Sequence, residues 1–220
     1  MTRFYLYLLL LLCFPSQALT VHQLISDGVV LQRNQPIPVK GTTNSQYVSL
    51  WLNDKKIETI STSDNQWIVT LPPQPAGGPF TLTIKADEER VINDVYFGDV
   101  YLASGQSNME WRAAAGIENG EQAIQNSKND SIRFFTVNHK TARFPQDDLN
   151  GSWVGSKPET MKNFSAVAYF FAQKLNKELQ VPVGLIGSTW GGTPAETWVP
   201  KHAIERDSIL VKAAGLLPET

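Results

Sequence analysis

Cysteine is nearly absent from this chain: one residue in 220, Cys13. It sits inside an N-terminal apolar run. The rest of the chain can therefore form no disulfide, use no thiolate nucleophile and build no thiolate metal site. Histidine is scarce as well, with three residues, His22, His139 and His202, so few imidazoles are on offer as bases or ligands. Excess charge is missing too. Nineteen Lys and Arg stand against 21 Asp and Glu, for a formal charge of −2. The basic residues are scattered, which excludes the basic stripe that nucleic-acid binding requires. No hydrophobic run approaches the roughly 20 residues that cross a bilayer as a helix.

What is present begins with a targeting pattern. Arg3 is a minimal positive region, Phe4 to Phe14 an apolar stretch, and Ser16-Gln17-Ala18 a small-residue cleavage site. Residues 1–18 read as a secretory signal peptide. This places the mature protein outside the cytoplasm with no membrane partner after cleavage. An exported chain without disulfides must rest on core burial, and 220 residues suffice for two domains.

Residues 20–97 read as all-β. Short apolar or β-branched runs recur at Val29–Leu31, Ile37–Val39, Tyr47–Leu52, Lys56–Ile60, Trp67–Leu71, Phe80–Ile84 and Val91–Phe97. Turn signals separate them, and Asn53-Asp54 between Leu52 and Lys55 marks a hairpin. Such spacing predicts a β-sandwich. Trp51 and Trp67 are either core residues or sugar-stacking platforms, and core is the commoner use of a strand Trp. No Pro/Ser-rich linker follows, so a second domain over 98–220 packs closely on the first.

In that second part the signals alternate. Val100–Ala103 reads as a buried strand broken at Ser104-Gly105, and a short helical pattern from Ser107 reaches Ala115. Glu118–Ser127 is a helix candidate, Ser131–Val137 a strand, Thr141–Glu159 a long polar loop and Val183–Ile186 a third strand. Met161–Leu179 is the strongest helix, with an apolar stripe of Phe164, Val167, Ala168, Phe171, Leu175 and Leu179. Strand, helix, strand, helix, strand predicts an α/β unit with a parallel sheet and right-handed crossovers.

Two stretches carry chemistry. A hydroxyl at the Ala103–Ser107 strand-to-helix turn stands at the carboxyl edge of the sheet, where an acyl-transfer nucleophile needs donors for an oxyanion. Ser107 also fits Ser-x-x-Glu with Glu110, a capping box; N-cap and nucleophile are compatible roles. Gly187-Ser-Thr-Trp-Gly-Gly-Thr193 follows a strand but matches neither Gly-x-x-x-x-Gly-Lys-Ser/Thr nor Gly-x-Gly-x-x-Gly, so no nucleotide cofactor is implied. Adjacent Gly191 and Gly192 serve a tight turn or let an N–H face a ligand.

Ser104-Gly-Gln-Ser-Asn-Met109 resembles the nucleophile block of the sialate O-acetylesterase family of SGNH (GDSL-type) hydrolases. Val30-Leu-Gln-Arg33 resembles its N-terminal region. Phe164–Phe171 resembles the helix before its second block, and Val181–Trp198 resembles that block. The resemblance runs from about residue 20 to about residue 205, in the family's order. It implies an Ig-like form for the sandwich and a three-layer α/β/α plan for the second domain. It implies a carbohydrate O-acetylesterase with Ser107 as nucleophile. The oxyanion donors would be the Ser107 N–H and that of Gly191 or Gly192, which the sequence does not separate. Gln106 and Asn108 would lie against an O-acetylated carbohydrate substrate. Neither metal nor cofactor is implied, and Glu196 and Trp198 read as scaffold.

The family supplies its base as Asp-x-x-His. Here the residues three before the histidines are Leu19, Thr136 and Val199. A further block with a Gln-Gly-Glu-like motif is also missing. The expectation is therefore the N-terminal part of a longer enzyme, truncated in its second domain and inactive alone. Two alternatives stay open: a non-catalytic carbohydrate-binding fragment, and another SGNH acyl hydrolase acting on lipid or thioester.

Overall fold

The computed structural model describes residues 18–142 and 144–215. Nearly all of the expected signal peptide lies outside them. The described residues form a mixed α/β structure around a large sheet with antiparallel and parallel parts, ordered β4-β3-β6-β7-β10-β8-β9, with β1 added on β7.

The antiparallel part is built from β3 (Tyr47–Leu52), β4 (Lys55–Ser61), β6 (Gly77–Lys85) and the first half of β7 (Glu89–Gly105), and β1 (Val30–Gln32) lies parallel to β7 over Tyr96–Gly98. A separate antiparallel ladder joins β2 (Ile37–Thr42) to β5 (Gln66–Leu71). Period-2 alternation decides which side chains turn inward. Trp67, Val69 and Leu71 of β5 are buried with Val48 and Leu50 of β3 and Leu82 and Ile84 of β6 in one core. Burial of each such aliphatic side chain contributes about 1.5–3 kcal/mol. The Asn53-Asp54 hairpin forms as expected: Leu52 pairs with Lys55, and Asn53 takes φ 50°. Trp67 is a core residue at 3% exposure. Trp51 is half-buried, with the ammonium groups of Lys56 and Lys85 at 5.9 and 5.5 Å from its ring centroid. Stacking a sugar on either ring would require displacing protein.

β7 runs without a break across residue 97/98. Its second half pairs in parallel with β10 (Val183–Thr189), which pairs in parallel with β8 (Asn129–Thr136). The side chains preceding that half-strand reinforce it. Gln32 Oε1 accepts from the Val100 N–H at 3.0 Å, and the Arg33 guanidinium forks onto Asp99 at 2.8 and 3.1 Å. Hydrogen bonding to that carboxylate raises the Arg33 pKa further. The buried Arg133 of β8 reaches Asp94 at 2.6 Å and stacks over Tyr96, tying the parallel strands to the antiparallel part of β7.

Helices cover one face of the parallel strands. α1 (Ser107–Glu110), α2 (Gly120–Gln125), α3 (Pro158–Met161) and α4 (Ala166–Leu179) contribute to a second core with Phe134, Ile132 and Leu185. On the other face, Phe135 and Trp153 join the first core. α5 (Lys201–Ile204) and α6 (Ser208–Ala214) follow the last strand.

Three local expectations are corrected. The stretch read as a loop, 141–159, contains the edge strand β9 (Trp153–Ser156), antiparallel to β8; with so few residues it offers little alternation to detect. The helix expected over 161–179 is two helices. Residues 162–166 instead bond to the chain after α1, through Ala114 N–H to Lys162 O and Ala166 N–H to Trp111 O, and Ser165 restarts the helix as N-cap of α4. The buried side of α4 is Ala166, Ala168, Tyr169 and Ala172, whereas Val167, Phe171 and Leu179 are exposed. Three of the four buried positions are alanine, and the fourth, Tyr169, is 1% exposed.

Candidate active site

The carboxyl ends of β7 and β10 lie side by side, with Ser104 paired to Ser188 and Gly105 to Thr189. Everything projecting beyond these two ends meets in one place. β7 ends in α1, and β10 ends in the Trp190-Gly191-Gly192 loop. The Trp190 N–H donates to Gly105 O at 3.0 Å, closing the loop against the turn that leads into α1.

Ser107 is the first residue of α1, not its cap. Gln106 is the N-cap. The capping reading of Ser107 is thereby overturned, because the strand runs to Gly105 and leaves the cap position to the residue after it. Gln106 Oε1 accepts from the Ser107 N–H at 2.8 Å and from Ser107 Oγ at 2.5 Å. One side-chain oxygen thus sits within bonding range of both groups.

The two glycines have different reasons to be glycine. A Cβ on Gly191 would lie 2.6 Å from Glu110 Oε2 and 3.8 Å from Ser107 Cα. Gly191 is packed against α1, and its N–H donates to the Glu110 carboxylate. Gly192 has φ 77° with nothing within 4 Å of its Cβ position, so conformation and not space demands glycine there. Its N–H has no partner among the described residues. The loop is held from the far side by Thr193, whose hydroxyl donates to Trp190 O at 2.7 Å and accepts from Trp198 Nε1 at 2.9 Å. Trp198, read as scaffold in the sequence, thus meets the loop through Thr193.

Of the histidines, one reaches this edge. His139 stacks on Trp190 with centroids 4.3 Å apart and planes at 6°. Its Nε2 lies 2.7 Å from Thr189 O; a carbonyl only accepts, so this nitrogen is the one that carries hydrogen. His22 lies in the N-terminal part, 3.6 Å from Asp148, and His202 is exposed on α5. Among the described residues Ser107 Oγ bonds to Gln106 and to no imidazole. Asn108, also expected near the substrate, is in α1 and exposed.

A cavity of about 60 Å³ opens at this edge, lined by Glu110, Arg112, His139, Asn163 and Thr189 among others. That is well below the roughly 300–1,000 Å³ of ordinary small-molecule pockets, so a sugar would rest outside it. A larger cavity, about 800 Å³, lies among the N-terminal strands beside His22, Lys40 and Asp148, and shares no residue with the Ser107 cluster. No group of three or more His, Cys, Asp or Glu among the described residues is placed to hold a metal.

Glu110 escaped the sequence reading. Its only signal was the fourth position of Ser-x-x-Glu, which pointed back to its own helix. Its contact is with residue 191, 81 positions away.

The structure is thus of the mixed α/β class with a serine and a glycine loop at one edge of its paired strands, and comparison with known proteins gives the family. A family model described as carbohydrate esterase, sialic acid-specific acetylesterase, matches residues 97–214. The chain belongs to that family. It is 36% identical over 166 residues to the sialate O-acetylesterase of Rattus norvegicus and 34% identical over 157 residues to that of Homo sapiens. These alignments cover 69% and 66% of this chain and 30% of each relative; the chain thus spans under a third of the curated relatives it matches. A crystal structure of a carbohydrate acetylesterase from Xanthomonas citri superposes with a TM-score of 0.81 at 37% identity, covering 88% of this chain and 45% of that one.

Proposed function

We propose that this chain carries the nucleophile and oxyanion-binding part of a secreted enzyme that hydrolyses acetyl esters on sugars. The carrying observation is the close approach of Gly191 to Ser107 at one sheet edge, 3.8 Å from its Cβ position to Ser107 Cα.

Ser107 Oγ attacks the acetyl carbonyl carbon, and its proton passes to a base. The C–O bond to the sugar breaks, the sugar oxygen takes the proton, and water then releases acetate from the acetyl-serine. The position of Gln106 Oε1, 2.8 Å from the Ser107 N–H and 2.5 Å from Oγ, is where the substrate's carbonyl oxygen would lie. The substrate replaces this internal acceptor, and the Ser107 N–H then stabilises the oxyanion. Between the two loop glycines, Gly192 is favoured as second donor, because the Gly191 N–H is already held by Glu110. We assign proton transfer to an Asp-x-x-His pair of the family type supplied outside these 220 residues, so that the isolated chain turns over little or no substrate. The same reading takes the α/β part as SGNH-type with a three-layer plan, the N-terminal part as an Ig-like sandwich, and residues 1–18 as a cleaved signal peptide.

The test is acetate release from O-acetylated sialic acid and from other O-acetylated sugars by the full-length protein. Ser107→Ala is expected to lower kcat by at least about 10³-fold, since nucleophile removal in subtilisin costs about 10⁶-fold. Equal rates in the variant would overturn the assignment.

A further inference from the structure

The contact between Glu110 and Gly191 is long-range, charge-assisted and adjacent to the nucleophile. Nothing in helix capping requires it. In a capping box the glutamate turns back to the N-cap N–H, yet here the cap is Gln106 and the Glu110 carboxylate leaves its helix for the opposite strand's loop. Its other oxygen lies 3.8 Å from the Arg112 guanidinium, and its side chain is three-quarters buried. We propose that Glu110 is a positioning residue for the reaction read above: its carboxylate pins the Gly191 peptide and thereby sets the Gly192 N–H relative to Ser107.

Three observations converge on this. The loop has few other restraints on its near side, where Trp190 N–H to Gly105 O is the neighbouring bond. Gly191 has no positive φ to explain its identity, and a side chain there would push away Glu110 Oε2, which lies 2.6 Å from the Cβ position. Finally, a carboxylate is a strong acceptor for one peptide N–H and holds it in a fixed direction, which a pre-set oxyanion donor requires, because a small misplacement of such a group is costly to rate.

The inference rests on the esterase reading, and two measurements keep their failures apart. The first needs no activity. Amide hydrogen exchange at Gly191 in this 220-residue chain should be slow, should quicken at least about tenfold in Glu110→Ala, and should remain slow in Glu110→Gln, whose Oε1 still accepts. Unchanged exchange in Glu110→Ala overturns the proposal whatever the enzyme does. The second uses the full-length enzyme. Glu110→Ala should lower kcat by about 10–100-fold with KM within about twofold, as expected for an interaction realised in the transition state. Glu110→Gln should recover to within about threefold of the parent. Gly191→Ala, whose methyl displaces the carboxylate, should reproduce the Glu110→Ala defect. A wild-type kcat in Glu110→Ala, or a Gln variant as impaired as the Ala variant, overturns the proposal. Activity persisting in Ser107→Ala instead removes Ser107 as the nucleophile and leaves the exchange result standing on its own.

Discussion

At the scale of single residues, the site depends on small steric and hydrogen-bonding differences between neighbours in sequence. Gly191 and Gly192 look interchangeable in the sequence, but one is constrained by a neighbour's carboxylate and the other by its own φ. Gly192→Ala is therefore expected to cost about 1 kcal/mol in stability, from a left-handed conformation that alanine adopts reluctantly, with no clash. Urea denaturation would show it; an unchanged midpoint would mean the loop relaxes. Gln106 likewise differs from the role its neighbour was expected to take. By capping α1 it frees Ser107 from that duty and places an oxygen against the hydroxyl that the mechanism uses.

The elements carry a different lesson. Strands with clean alternation, such as Tyr47–Leu52 and Gln66–Leu71, bury every second residue as their pattern dictates. α4 departs from its pattern because it packs on the Ala166, Ala168, Tyr169 and Ala172 side, with Tyr169 against Phe134 of the sheet, and not on the Val167 and Phe171 side. Ser165 sits where that helix begins, accepting from the Ala168 N–H at 3.2 Å and touching Met109 Sδ at 3.8 Å. It links the start of α4 to α1. Ser165→Ala should destabilise the protein by about 1 kcal/mol through loss of the cap, measured by chemical denaturation, and an unaffected protein would show that Ala168 N–H finds another acceptor. The break before Ser165 was hidden from periodicity because Phe164 and Val167 keep the helical spacing across it.

Taken whole, the molecule is organised by β7, which belongs to the antiparallel part through Glu89–Phe97 and to the parallel part through Asp99–Gly105. Arg133 joins those halves from β8. Replacing it by Met keeps most of the volume but removes the bonds to Asp94 and Asp130 O and the stacking on Tyr96. A loss of about 2 kcal/mol is expected, toward the low end for a buried charged partner because Asp94 stays half-exposed to water. Thermal unfolding would register it. A variant as stable as the parent would mean that apolar packing alone joins the two parts.

The sequence by itself determined the strand positions other than β9 and the continuity of β7, the Asn53 hairpin, the parallel strands and the two stretches bearing Ser107 and the paired glycines, because these follow from local alternation, turn chemistry and ordered motifs. Only the tertiary structure decided that Gln106 caps α1, that Glu110 crosses to Gly191, that His139 lies on Trp190, and which face of α4 is buried. The cap is local and turns on where β7 ends; the others join residues far apart in the chain or depend on how closely two elements approach. A one-dimensional pattern holds no term for either.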